Sequence, residues 1–482
     1  MKRLDYRALK ALPADVQRPR RTAPPKIGVV HFGPGAFHRA HQASYFDTVL
    51  DHDPRWGIAA VALRSNATAA ELSTQQGLYT IAVRDAACTN RVVGAHGAWL
   101  GPNNGNHITA LLANPAIGLV TMTVTEKGYC LAPDGTLDLT HPDVAHDLGG
   151  AGLPRSVIGW LVAGLAERRA RGTAPFVPMP CDNLAANGAK LHAALVAFAG
   201  ARAPELAAWI AGEVRVPSTM VDSITPASDQ GLLAEVQAAL GCADAIPVQR
   251  EAFVQWVIED VGPNAGPDLA SAGAIVTGDP GGYERAKLRI LNGAHSMLAY
   301  AGLLRGHTSV AEAMADPFLA DTVDAMIRTD ITPMLPRVSG LDLDAYSRAI
   351  LARFRNPAMV HRLDQIAQDG TQKLAYRLGD TIDANRRAGK MPMLAIGAVG
   401  CWVAFVLARV RGGVPVIDPH ALALQEALSG ADLRIFVHRL ADRGLGLSPL
   451  WRDDQALMDA IVAASLAAHD GALHRVMRHS TT

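Results

Sequence analysis

Lys287, Asn292 and His295 fall in one stretch, "GGYERAKLRILNGAHSMLAY", residues 281–300. An amine, a carboxamide and an imidazole so close together suit a particular chemistry. On a regular α-helix the Lys287 and Asn292 side chains point roughly 140° apart with His295 between them, so all three share one face. A pocket laid along that face meets all three. Reducing a ketone by hydride transfer needs a proton donor beside the carbonyl oxygen and hydrogen-bond donors for the developing oxyanion. Lys287 fits the acid/base and Asn292 the oxyanion donor. Glu284 lies one turn before Lys287, where it can tune the amine. A lysine doing this work must have its pKa drawn down from about 10.4 towards neutrality, a change of about 3 to 4 kcal/mol, by burial or nearby positive charge.

Such a site needs a hydride source. "GPGAFH", from Gly33 to His38, follows an apolar run at residues 27–32 and opens a helical pattern. Gly33 permits the tight turn, Gly35 lets a pyrophosphate approach the backbone, and Ala36 and Phe37 begin the helix whose N-terminus receives it. His38 stands where a third Gly or Ala is usual. At the end of the second strand, where an acidic residue would bind ribose hydroxyls, the chain reads Leu63-Arg64-Ser65-Asn66. Ser65 suits neutral hydroxyls and Arg64 a 2′-phosphate, so spacing alone leaves NAD and NADP open. His38-x-x-His41, with His31 nearby, has no acidic partner; a phosphate-binding or helix-surface role is expected rather than a metal site. Tyr283-x-x-x-Lys287 has the spacing of the short-chain dehydrogenase pair. There the pair lies inside the dinucleotide domain; here it enters a different one. Val29 also stands four residues before Gly33, where that class has another glycine. Tyr283 is therefore read as coincidence.

The elements that must hold these groups follow from periodicity. Apolar runs at 27–32, in "RWGIAAVALRS", in "IGLVTMTVTEKGY" and in "APFVPMPCDN" alternate with helical patterns such as "RSVIGWLVAGLAERRARG". "GLYTIAVRD" and "RVVGAHGAWL" read as an antiparallel excursion. Strand signals stop near Asp279, and helix follows helix from Tyr283 onwards. The expectation is an α/β Rossmann-like, doubly wound sheet domain over 1–280 and a mainly α-helical domain over 281–482. Lys+Arg and Asp+Glu balance at 45 each, so no basic field invites nucleic acid. The five cysteines are scattered without a CxxC pair, which suits a reducing cytoplasm. The N-terminal segment is charged and lacks a signal-like apolar core. "MPMLAIGAVGCWVAFVLARV", 391–410, approaches spanning length, but is expected to be a buried helix rather than a membrane segment.

Together these residues carry a family resemblance. "HFGPGAFHRAHQ", "TVTEKGY", "CDNLAANG", "MVDSITPA", "FVQWVIED", "KLRILNGAHS" and "QIAQDGTQK" occur in the order found in the mannitol dehydrogenase family, the polyol-specific long-chain dehydrogenases. The chain resembles that family nearly end to end. The resemblance implies a metal-independent oxidoreductase in which Lys287 is the general acid/base. It implies that Asn183 and Asn292 form the oxyanion hole, with Asn183 also beside the cofactor, and that His295 and Lys373 meet substrate hydroxyls. Glu126 is placed near the nicotinamide and a water path, and Asp222 beside cofactor and substrate. NAD is favoured, since NAD-using members also show "LRS" after the second strand.

Two reactions within the family compete: ketose–polyol interconversion, as fructose and mannitol, and reduction of the keto-uronate fructuronate to mannonate. "TEKGYC", "LNGAHSMLAY" and "QIAQDGTQKL" resemble the fructuronate reductases more closely, and Gln365 stands where mannitol enzymes carry arginine. Lys127 and Lys373 suit a carboxylate. Ser223 replaces an arginine usual in both subgroups, and Pro180 a serine. A non-catalytic redox sensor would need neither the lysine nor the paired carboxamides. The decarboxylating hydroxyacid dehydrogenases also join a Rossmann domain to a helical domain, but space Lys and Asn one residue closer and lack the other motifs.

Overall fold

The computed structural model describes residues 2–477 except 86, 151, 264, 265, 360 and 476; of Glu126 the backbone alone is described. Two compact units divide the chain, Met1–Gly281 and Gly282–Thr482.

The first unit is built on five parallel strands. In chain order the strands are β1 (Ile27–Phe32), β2 (Gly57–Val61), β3 (Tyr79–Arg84), β4 (Thr89–Val93), β5 (His96–Leu100), β6 (Leu119–Met122), β7 (Val177–Pro180), β8 (Thr219–Asp222), β9 (Val248–Glu251), β10 (Gln255–Glu259) and β11 (Ile275–Thr277). The main sheet has the order β5-β2-β1-β6-β7, every pairing parallel. Alternate residues of β1 serve opposite faces. Val30 and Phe32 pack with the helices Gly105–Ala113, Val157–Ala170 and Asn187–Gly200. Val29 packs on the other side with the helix Gln42–Val49 and Trp256. Helices on both faces explain why the strands are apolar throughout rather than alternating.

The expected excursion forms, but only in part of the predicted stretch. β3 and β4 pair antiparallel, and β9 joins β3 in parallel. "RVVGAHGAWL" is divided at Gly94 and Ala95: its first half stays with β3, while His96–Leu100 returns to the main sheet beside β2. A third sheet, β11-β10-β8, was not foreseen as separate. Its strands pair mutually, so local hydrophobicity alone does not distinguish them from members of the main sheet.

Among its described residues the second unit has no strand. The helix Gly293–Leu304 is buried from Gly293 to Gly302 and packs against the helix Met393–Arg411. That longer helix is apolar and long enough to cross a membrane by composition. It is instead buried from Leu394 to Leu407 and lies along Gln455–His469. Asp330 caps its start, accepting from the Leu394 and Ala395 amides at 3.0 Å each.

Three short π-helical segments set this unit apart: Lys287–Asn292, Ile327–Ile331 and Ala375–Gly379. The first packs against both others. Regular α-geometry was expected from Lys287 to His295, and the structure corrects it. A π turn bonds residue i to i+5 and winds more slowly than an α turn, so Lys287 and Asn292 come nearer to one face than the roughly 140° of a regular α-helix. Sequence periodicity does not reveal the change, because π turns arise from packing against neighbouring helices.

Candidate active site

The glycine turn sits at the C-terminal end of β1, in the middle of the sheet. The chain runs to β2 and β5 on one side of β1 and to β6 and β7 on the other, which makes this a topological switch point. Gly33 has φ +87°, and a Cβ there would lie 2.6 Å from the Thr123 carbonyl oxygen, so only glycine fits. Its N–H donates to the Val61 carbonyl at 3.0 Å, and its own carbonyl accepts the Gly35 N–H at 2.7 Å. Gly35 caps the short helix Ala36–Ala40, and a Cβ on it would meet nothing closer than 3.9 Å. The first helical bond runs from the Arg39 N–H to the Gly35 carbonyl. The amides of Ala36, Phe37 and His38 therefore have no intrahelical acceptor, which suits a pyrophosphate. The Gly35 amide is committed to the turn itself.

The neighbouring strands end at the same level: Phe32 pairs with Val61 and Met122, and Met122 with Pro180. Four loops therefore share one edge of the sheet. Arg64 and Ser65 follow β2 and are exposed. The Ser65 hydroxyl accepts from the Ala67 amide at 3.2 Å. Glu126 begins the tight turn Glu126–Tyr129 after β6; its side chain lies outside the described atoms. Asn183 follows β7 and is exposed. Its neighbour Asp182 accepts from the Leu184 amide at 2.9 Å and from the Tyr129 hydroxyl, joining the β6 and β7 loops. Burial and the Asp182 carboxylate hold that hydroxyl well above the usual tyrosine range. Asp222 ends β8, in the third sheet, opposite Gln255. Ser223 next to it donates to the Phe253 carbonyl at 3.1 Å.

The histidines near the turn are not on a helix surface, contrary to expectation. His31, His38 and His41 are all fully buried, on the sheet face where Ala36–Ala40 packs. His31 stacks on His38 with ring centroids 3.4 Å apart, and His38 Nε2 lies 3.1 Å from His96 Nε2. Burial, reinforced by His96, draws the His31 pKa down to about 3. Burial does the same to His96, to about 3, and holds His38 well below its ordinary value. The sequence places His96 far from the turn, so its part in this cluster was missed.

In the second unit Lys287 and Asn292 are half-buried in the π turn and His295 is buried one turn on. Gly293 lets the third π segment approach: a Cβ there would stand 3.0 Å from the Arg377 carbonyl. Tyr283 faces elsewhere, its hydroxyl 3.4 Å from the Ser339 carbonyl. His295 packs at a tilt on Phe354, ring centroids 4.4 Å apart, and meets His361 edge-on at 4.7 Å, and its Nε2 is buried with no hydrogen-bond partner among the described residues. Burial, with His361, Arg377 and Arg353 beside it, holds this imidazole well below the usual histidine range. It is a neutral group with a ring nitrogen to offer. Lys373 is half-buried, its ammonium 2.9 Å from the Gln368 carbonyl and 3.2 Å from Asp369 Oδ2. Gln365 is exposed on the short helix Leu363–Ile366. His361 and Arg377, which shape the surroundings of His295, escaped the sequence reading because both are distant in sequence and lie outside any motif.

Comparison with known proteins agrees with these two halves. The profile of the mannitol dehydrogenase Rossmann domain matches residues 27–270, and that of the mannitol dehydrogenase C-terminal domain matches 281–438. The chain is 38% identical over 464 residues to the D-mannonate oxidoreductase of Escherichia coli K12, covering 93% of this chain and 94% of that one. A ternary complex of Pseudomonas fluorescens mannitol 2-dehydrogenase with NAD and D-mannitol superposes with a TM-score of 0.83 at 33% identity, covering 99% of each chain. A substrate-free D-sorbitol dehydrogenase superposes with 0.89 at 30% identity, covering 99% of this chain and all of that one. With both domain profiles, full-length relatives and a dinucleotide turn at the sheet's switch point, the chain belongs to the mannitol dehydrogenase family of oxidoreductases.

Proposed function

We propose that this protein is an NAD-dependent fructuronate reductase, interconverting fructuronate and D-mannonate. Residues 1–280 bind the dinucleotide and residues 281–482 supply the acid/base and most substrate contacts. The observation that carries the reading is the π turn Lys287–Asn292, which brings an amine and a carboxamide towards one face one turn before a neutral, buried imidazole. Similarity to the E. coli D-mannonate oxidoreductase along nearly the whole chain supports the choice of substrate.

NADH, when bound, supplies the hydride. Ala36, Phe37 and the bare Gly33–Gly35 turn receive its pyrophosphate, with Ser65 and Arg64 at the ribose and Glu126 and Asp222 towards the nicotinamide. Lys287 gives its proton to the substrate oxygen as the carbonyl becomes an alcohol, and takes it back in the reverse direction. Asn183 and Asn292 donate hydrogen bonds to the oxygen while it is negative. His295, Lys373 and Gln365 orient the sugar chain. The cytoplasm, with its reducing conditions, is the proposed place of action; its fit rests on five unpaired cysteines.

A second reading, a mannitol 2-dehydrogenase acting on neutral polyols, is favoured by one observation. Asp369 already neutralises part of the Lys373 charge that a carboxylate would use, and Ser223 carries none. NADH oxidation by the purified protein with fructuronate and with fructose, repeated with NADPH, separates the readings. Preference for fructuronate is expected, and preference for fructose selects the second. Lys287→Ala is expected to abolish turnover while NADH still binds in a fluorescence titration; a variant with normal kcat refutes the acid/base assignment.

A further inference from the structure

Beneath the glycine turn, a chain of hydrogen bonds has only one consistent direction. The Thr123 hydroxyl donates to the Gly33 carbonyl at 2.6 Å. Its single proton is then used, so at 3.0 Å its oxygen must accept from His31 Nε2. His31 therefore carries its proton on Nε2, and its Nδ1 accepts the Thr121 hydroxyl at 2.7 Å. The chain Thr121→His31→Thr123→Gly33 thus ends on the one carbonyl that also closes the turn by accepting the Gly35 amide. His38, stacked flat on the imidazole, and His96 behind it fix the ring plane. All three histidines are fully buried, so none of them can touch a ligand.

We propose that His31 is a positioning residue for the dinucleotide. It acts on the Gly33 carbonyl both through the Thr123 hydroxyl and directly, its Nε2 lying 3.3 Å from that oxygen, and so fixes the peptide plane after Gly33 and the direction of the amides that follow. It is paired on both ring nitrogens and makes no contact of its own with cofactor or substrate. The inference rests on the dinucleotide reading given above.

The test is NADH affinity, measured by fluorescence titration on the full-length protein. Thr123→Val keeps the shape of the side chain and removes the relay. Its Kd for NADH is expected to rise about five- to tenfold, the worth of one oriented hydrogen bond. His31→Phe, which can still stack on His38, is expected to do the same. The double variant is expected to lose less than the product of the two single losses, because both act on the same carbonyl. Thr123→Ser restores the hydroxyl and with it the wild-type Kd. At saturating NADH, kcat and the sugar KM are expected to stay within about twofold of wild type, since the chemical groups are untouched. If His31→Phe fails to fold, the Thr123→Val and Thr123→Ser pair still decides. A Thr123→Val Kd within about twofold of wild type overturns the inference, as do losses that multiply in the double variant. Wild-type protein that binds neither NADH nor NADPH overturns the cofactor reading itself, a separate result.

Discussion

Mild acid should unfold this protein sooner than its carboxylates would dictate. His31, His38 and His96 are fully buried and held neutral, two of them with pKa values near 3. In the unfolded chain each titrates near 6.5. Between those values the unfolded state binds more protons than the folded state, so stability falls as pH falls. The loss begins at about pH 6.5 and continues towards pH 3. From pH 7.5 to 5.5, one fully excluded proton costs about 1.4 kcal/mol, so these three cost the first unit about 4 kcal/mol, and the buried His295 adds to the loss when the second unit unfolds. Asp244 runs the other way. Burial raises its pKa, so proton uptake by the folded state offsets part of the loss. The loss is a large share of the roughly 5–15 kcal/mol typical of a domain. Carboxylates held low by partners, such as Asp53 with Arg55, respond only under about pH 4, outside the window. Urea unfolding at pH 7.5, 6.5, 5.5 and 5.0, followed by tryptophan fluorescence, reads the effect. A slope of at least two to three protons is expected below pH 6, falling by about one in His96→Gln. A slope below one proton would refute the claim that these imidazoles stay neutral.

Three shorter expectations follow from the same geometry. Gly33→Ala places a methyl group 2.6 Å from the Thr123 carbonyl on a backbone with φ +87°; it should abolish measurable NADH binding and cost about 2 kcal/mol or more in urea unfolding. Asp330→Ala strips the two cap bonds from the long helix Met393–Arg411 and should destabilise the second unit by about 2 to 3 kcal/mol, with NADH affinity unchanged by titration. Arg64→Asp should weaken NADPH binding more than NADH binding; equal losses in the two titrations would move Arg64 away from the ribose.

Much of this was legible in the sequence because it was local. The Gly33–Gly35 turn, the apolar strand before it and the Lys287–Asn292–His295 spacing each sit within a few residues. What escaped depends on partners far along the chain. His38-x-x-His41 reads as an exposed helical pair until His96 arrives from another strand against His38, and Thr121 from a third against the His31 ring on which His38 stacks. Likewise, nothing in "KLRILN" announces a π turn. The turn depends on the packing of Ile327–Ile331 and Ala375–Gly379 against it.

That π turn also bears on descent. A π turn accommodates one more residue than an α turn between positions that lie over each other. On an unbroken α-helix a pair four residues apart already shares one face, so the spacing of five here is one residue longer than that register requires. An inserted residue absorbed as a local bulge would leave the amine and the carboxamide in register on one face, while the helix beyond continues undisturbed into Gly293–Leu304. A chain that carries its amine and carboxamide four residues apart on an unbroken α-helix would then present the same pair, and a one-residue gap opposite this turn would mark a kept geometry rather than a lost one.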